Sequence, residues 1–159
     1  MIGKTTLPQM WWPLMGRPSV TLPYCPVCGR SYPLEQHHPV RRGAGKLFDE
    51  NGREVKKPSI TLCGFGNNLL DADGRPYCHG LAHEGRLHFR WTEFKGIDDS
   101  LGHMPSPWEG GHWEYLLLDE GCDYLTALGM DGWRRLRRRA AGDGRRPRMG
   151  CHAGGRKRL

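Results

Sequence analysis

Tyr24-Cys25-Pro26-Val27-Cys28 opens a stretch that runs on through Glu35-Gln36-His37-His38-Pro39 and Leu62-Cys63-Gly64 and closes with Cys78-His79-Gly80-Leu81-Ala82-His83. Four of the six cysteines and five of the eight histidines lie between Cys25 and His88. Their spacings are those of metal ligands. Two cysteines three apart can turn both sulfurs toward one ion. Two histidines four apart share a helix face, with Cβ atoms about 5–6 Å from each other.

Ligand type separates two sets. Cys25, Cys28, Cys63 and Cys78 make a four-thiolate group suited to structural Zn²⁺ held tetrahedrally, with sulfurs about 2.3 Å away. Fifteen positions separate Cys63 from Cys78, so the second half of this site must close through an insertion, Gly64 to Tyr77. The alternative for each cysteine is a small buried hydrophobe. His79 and His83 form the second set, on a short helix from His79 to Glu84 stopped by Gly85. His37 or His38 can add a third ligand. Neighbours on a regular strand point to opposite faces, so both can serve one site only if the strand ends there, as Pro39 implies. Three neutral imidazoles leave an ion open to water and a further oxygen ligand.

The rest of the chain bounds this reading. At 159 residues with 37% hydrophobic content, one modest core is expected, and a metal would help it fold. The first residues show no secretory leader, and no apolar run approaches the roughly 18 residues of a membrane span. Reduced thiols in a cytoplasmic setting are therefore expected. Charge is uneven. Arg134 to Leu159 holds ten Arg and one Lys against Asp143, a net of +10, and leaves the preceding 13 basic and 16 acidic residues at −3. Arg134, Arg135, Arg137, Arg138 and Arg139 read as a helix end passing into a disordered basic tail over 140–159, whose partner is a phosphate backbone. A solvated tail that only aids solubility is the alternative.

Local patterns complete the expectation. Residues 1–23, broken by Pro8, Pro13, Pro18 and Pro23, read as an extended arm whose Trp11 and Trp12 dock on the domain or, alternatively, stack on bases. Arg30 to His38 fits an edge strand because of Pro33. Lys46 to Val55 is a hairpin turning at Asn51-Gly52. Ser59 to Leu62 is a short strand, and Leu87 to Trp91 and Trp113 to Leu117 are two more, joined by a loop from Lys95 to Gly111. Asp119 to Arg139 spaces Tyr124, Leu125, Leu128 and Leu136 as a helix broken near Gly129 and Gly132, with Cys122 facing the core. His88 reads as a surface strand residue. His103, His112 and His152 show no ligand partner, and Cys151 reads as an exposed tail thiol.

Taken together, Cys-x2-Cys, His-His-Pro at a strand end, Leu-Cys-Gly and Cys-His-Gly-x2-His resemble the HNH nuclease family, the ββα-metal or His-Me finger nucleases, and most of all the small HNH proteins of bacteriophages. The resemblance spans roughly residues 24–91. It implies an α+β fold: a zinc-stapled ββα-metal core over 24–91 with an extra β-hairpin, a strand and C-terminal helix extension over 92–139, and the arm and tail outside them. It implies that His37, His79 and His83 bind a catalytic divalent ion (Mg²⁺, Mn²⁺, Ni²⁺ or Zn²⁺) and that His38 is the general base. The activity implied is hydrolysis of DNA phosphodiester bonds to a 5′-phosphate and a 3′-hydroxyl. Arg41 and Arg42, just past the base, are expected to clamp duplex phosphates, or else are exposed loop arginines. The family's middle asparagine falls on Pro58 here, so the resemblance leaves its orienting role to Ser59, or to Asn67 or Asn68 beyond Cys63, or leaves catalysis slow.

Two other readings compete. One is a zinc-stabilised DNA-binding or phage packaging-accessory protein whose HNH site does not cut. The other is an RNA-binding zinc knuckle with the tryptophans as stacking platforms, which leaves the paired histidines without a task. In a phage the setting would be the host cytoplasm.

Overall fold

The computed structural model describes residues 5–93 and 110–140. Strand β1 (Leu34–His37) pairs antiparallel with β2 (Ile60–Cys63) in a two-stranded sheet, in a register that sets Leu34 opposite Cys63 and His37 opposite Ile60. All four residues of β2 are buried. This is why Ile-Thr-Leu-Cys is almost uniformly apolar rather than alternating. Helix α1 (Cys78–His83) follows, and its chain leaves at Gly85, whose φ of +74° suits a residue without Cβ. β3 (Leu87–Glu93) and β4 (Gly111–Leu117) then pair antiparallel from Leu87↔Leu117 to Glu93↔Gly111. The molecule is thus a mixed α+β fold of small sheets and short helices. Among the described residues no helix is long and apolar enough to cross a membrane.

The N-terminal segment differs from an extended arm. Gln9–Leu14 forms a 3-10 turn, and Leu7, Leu14 and Met15 belong to the buried core. A 3-10 turn accommodates Pro13 because so short a run has few backbone bonds to lose. Trp11 stacks on Tyr124 with ring centroids 4.6 Å apart, and Trp12 donates its indole N–H to the Leu7 carbonyl at 3.0 Å. Val20 then runs alongside Ile60 on the side of β2 away from β1, accepting from Thr61 N at 2.9 Å and donating to Ser59 O at 2.8 Å.

The expected hairpin is present around the bridge between Phe48 and Glu54. Its turn is closed by Asp49, whose carboxylate accepts from Asn51 N and Arg53 N at 2.8 and 2.9 Å while Gly52 takes a φ of +79°. Asp71 closes the turn ending at Gly74 in the same way, with Asp73 N and Arg75 N as donors.

The C-terminal part departs furthest from expectation. The helix is only α2 (Tyr124–Leu128), begun by the Asp123 carboxylate accepting from Thr126 N at 2.8 Å and ended at Gly129. Gly132 (φ +99°) reverses the chain, and Arg134–Arg135 form a strand, β5, against Glu114 and Tyr115 of β4. The arginine run is therefore not the end of a helix. The backbone pairing offered by β4 outweighs the helical propensity of arginine, which is worth only tenths of a kcal/mol per residue. Leu116 is buried, with its Cδ1 atom near Gly132. Cys122 lies before α2 rather than in it, half-buried, with its sulfur 3.9 Å from His88 Nε2. The tail from 141, most of the 95–111 loop, His103, Cys151 and His152 lie outside the described residues.

Glu114, with a side chain 14% exposed, joins β3 to β4: Arg90 donates at 2.7 Å, and His112 and Thr92 each lie 3.0 Å away. Burial alone would raise its carboxyl, but the donors His112, Arg90 and Thr92 hold it below the ordinary glutamate value. A carboxyl lowered by folding stabilises the fold above its unfolded pKa, and that contribution is lost as pH falls through the folded value. Glu114→Gln is expected to cost about 1–2 kcal/mol at neutral pH. The gap should close below about pH 4; urea unfolding of both proteins across the acid range measures it, and a pH-independent gap would contradict the assignment.

Candidate metal centres

Four sulfurs from three stretches of chain meet in the core. Cys25 and Cys28 come from a knuckle in which Gly29 N donates to Cys25 O at 2.7 Å and Cys25 N to Arg30 O at 2.7 Å, with Gly29 at a φ of +86°. Cys63 is the last residue of β2, and Cys78 is the first of α1. All four are buried, and their sulfurs lie within 4.8 Å of one another. Cys28 and Cys63 are 3.7 Å apart, against the roughly 3.8 Å edge of a tetrahedron whose corners stand 2.3 Å from zinc. Cys78 N also donates to the Cys63 sulfur at 3.2 Å, a bond that favours the thiolate. Burial and the Cys28 contact push the Cys25 thiol up, yet hydrogen bonds from Cys63 and Cys78 leave it below the ordinary value. The group can hold a metal.

The insertion from Gly64 to Tyr77 is tied back to the knuckle. Arg30, two residues after Cys28, pairs with Asp71 at 3.1 Å and lies 5.1 Å over the Tyr77 ring. Gly64 and Gly80, each next to a candidate ligand, make room for close neighbours. A Cβ on Gly80 would stand 3.2–3.3 Å from atoms of Leu69, and one on Gly64 would stand 2.7 Å from His79 Cβ and 2.9 Å from Glu35 Oε1.

The second group is His37, His79 and His83, one ring nitrogen from each lying within 4.8 Å of the others. His37 ends β1, while His79 and His83 share one face of α1, with Nε2 atoms 3.2 Å apart. Glu35 orients His79. It stands two residues before His37, hence on the same face of β1. Its Oε1 is 2.9 Å from His79 Nδ1, and its Oε2 accepts from Gly66 N at 2.6 Å. With Nδ1–H committed to the carboxylate, Nε2 of His79 is left for a ligand bond. Burial raises Glu35, but His79 and the Gly66 amide outweigh it and lower the carboxyl. His37 is pushed down to about 3, first by burial and then by the neighbouring His79, His83 and His38. His83 is lowered by burial, then by His79 and Arg41. Neutral imidazoles are what a divalent ion requires.

His38 follows β1, half-buried, and lines the same cleft of about 990 Å³ as the trio, together with Arg41 and Arg42. Burial, then the charges of Arg42 and Lys57, hold its ring below the ordinary histidine value. Ser59 hydrogen bonds through Oγ to Gln36 Nε2 at 2.9 Å rather than to His38, so any influence on His38 passes through the β1 backbone. Pro58 is fully buried; Asn67 and Asn68 are exposed, and neither lines the cleft. Arg134, Arg135, Arg137, Arg138 and Arg139 are also absent from its lining. His88, half-buried on β3, lies 2.8 Å through Nε2 from Gly85 O and lines the cleft's far side with Cys122. Sequence reasoning missed Glu35, Gly64 and Lys57. Of these, Glu35 had a local signal in its two-residue spacing from His37 on a strand and Gly64 in the Leu-Cys-Gly motif, while Lys57 had none.

No family model matches the chain, and no curated protein or solved structure matches it.

Gly64→Ala is expected to displace His79 and Glu35 and to weaken metal binding at the histidine group at least tenfold, while one metal equivalent stays with the cysteines. Glu35→Gln removes the orienting charge without adding bulk and should weaken the same binding about 10- to 100-fold. Titration with Co²⁺ or Ni²⁺ beside metal counting by native mass spectrometry separates the two centres; unchanged affinity in both variants would refute the assigned geometry.

Proposed function

We propose that this chain is a metal-dependent DNA endonuclease of the HNH, ββα-metal kind, with Zn²⁺ in the four-cysteine site and one divalent ion on His37, His79 and His83. The observation that carries the reading is the convergence of two strand-end histidines and two helix histidines on one cleft, with a buried tetrathiol group behind them. An inert DNA-binding module has no use for an open imidazole trio beside a fourth ring.

In this reading Glu35 fixes the tautomer of His79, and β1 and α1 bring one ring nitrogen from each of His37, His79 and His83 within 4.8 Å of one another. The ion, when bound, polarises the scissile phosphate and offsets charge on the leaving oxygen. His38 accepts a proton from the attacking water as its oxygen bonds to phosphorus and the bond to the 3′-oxygen breaks. Solvent returns a proton to that oxygen, leaving a 5′-phosphate and a 3′-hydroxyl. Arg41 and Arg42 supply positive charge for the flanking phosphates. The basic residues from Arg134 onward add affinity for the backbone without sequence preference.

Supercoiled plasmid incubated with Mg²⁺, Mn²⁺, Ni²⁺ or Zn²⁺ is expected to be nicked or linearised by the wild type. His38→Ala should slow this by about 10²–10⁴-fold with metal content unchanged. Binding without cleavage under every ion would favour the non-cutting DNA-binding reading, and cleavage undiminished in His38→Ala would remove His38 from the base role.

A further inference from the structure

The segment from His38 to Ala44 lines the cleft with His38, Arg41 and Arg42 among others, yet little of its own backbone structure holds it. β1 ends at His37, Arg42–Ala44 is a single 3-10 turn, and Ala44 N donates to Arg41 O at 3.0 Å. Val40 is buried and fixes one point of the segment. The far end is held where Thr6 and Lys46 exchange hydrogen bonds, Thr6 N to Lys46 O and Lys46 N to Thr6 Oγ1, both at 3.0 Å. Between these points the carbonyls of Arg41 and Arg42 both accept from one atom, Lys57 Nζ, each at 2.8 Å. Lys57 stands on a firm base, since the next residue is the buried Pro58 and β2 begins two residues later. A proline restricts the backbone of the residue before it, so the lysine leaves the chain in a set direction.

We infer that Lys57 is a positioning residue: its ammonium pins the Arg41 and Arg42 carbonyls to the start of β2 and so sets where His38, Arg41 and Arg42 meet the substrate. The inference rests on the nuclease reading. A half-buried lysine bonded to two carbonyls adds little to global stability, whereas a catalytic group displaced by about 1 Å can lose a hundredfold in rate. Lys57 thus acts through other residues and touches no reacting atom.

Lys57→Met removes the charge and all donors, and Lys57→Arg keeps a charged donor able to reach both carbonyls. In the full-length, zinc-loaded protein, amide hydrogen exchange over residues 40–44 is expected to quicken at least tenfold in Lys57→Met and to stay near wild type in Lys57→Arg. Ni²⁺ affinity at the histidine group should stay within twofold in both. Plasmid cleavage should fall about 10- to 100-fold in kcat for Lys57→Met, and Lys57→Arg should recover most of it. Unchanged exchange in Lys57→Met overturns the pin, and full-rate cleavage despite faster exchange overturns its catalytic consequence. A wild type inactive with every ion overturns the nuclease reading itself, an outcome distinct from an active wild type matched by Lys57→Met.

Discussion

Four thiols packed within 4.8 Å of one another in a dry interior are the constraint from which the rest of the architecture follows. They come from a proline-bearing knuckle, the end of a strand and the start of a helix, three pieces that no continuous run of backbone bonds would hold together. A cation shared among thiolates satisfies such a group, and four separate protonated thiols do so poorly. Leu62 and Leu81, both fully buried, belong to the core cluster that also includes the four cysteines.

The cysteine group also determines where the imidazoles stand. Cys78 and His79 are neighbours on α1, so the residue that enters the core fixes the rotation of the helix that presents His79 and, one turn later, His83. The β1–β2 register sets Leu34 opposite Cys63 and His37 opposite Ile60, so the same two strands run from the thiol end to the imidazole end. Glu35 lies between, accepting from the Gly66 amide of the insertion and contacting a ligand of the trio. The two groups thus share the same strands and the same helix.

Much of this was legible because it is local. A Cys-x2-Cys knuckle and a His-x3-His helix face are set by covalent geometry and by 3.6 residues per turn, and the structure assembles both groups from those residues. The turn at Asn51-Gly52 was visible for the same reason: it is stabilised from within, by glycine and the short Asp49 carboxylate. What failed to read was decided at long range. The arginine run after Gly132 suits a helix taken alone, but it pairs with β4 because Tyr115 and Glu114 offer an open edge. Leu116 is buried against Gly132, beyond α2, a neighbour that no local pattern names. Lys57 carried no sequence signal, since its partners are backbone carbonyls fifteen and sixteen residues away.

Past β5 the chain makes one more contact with the knuckle. Arg137 N donates to Pro26 O at 2.8 Å, and the Tyr24 hydroxyl donates to Arg137 O at 3.2 Å. The run Arg134 to Arg139 is therefore stitched by the backbone of Arg137 to the residues flanking Cys25. Its root has a fixed address beside the sulfur group, and a shortened chain that keeps this seam must extend past Arg137.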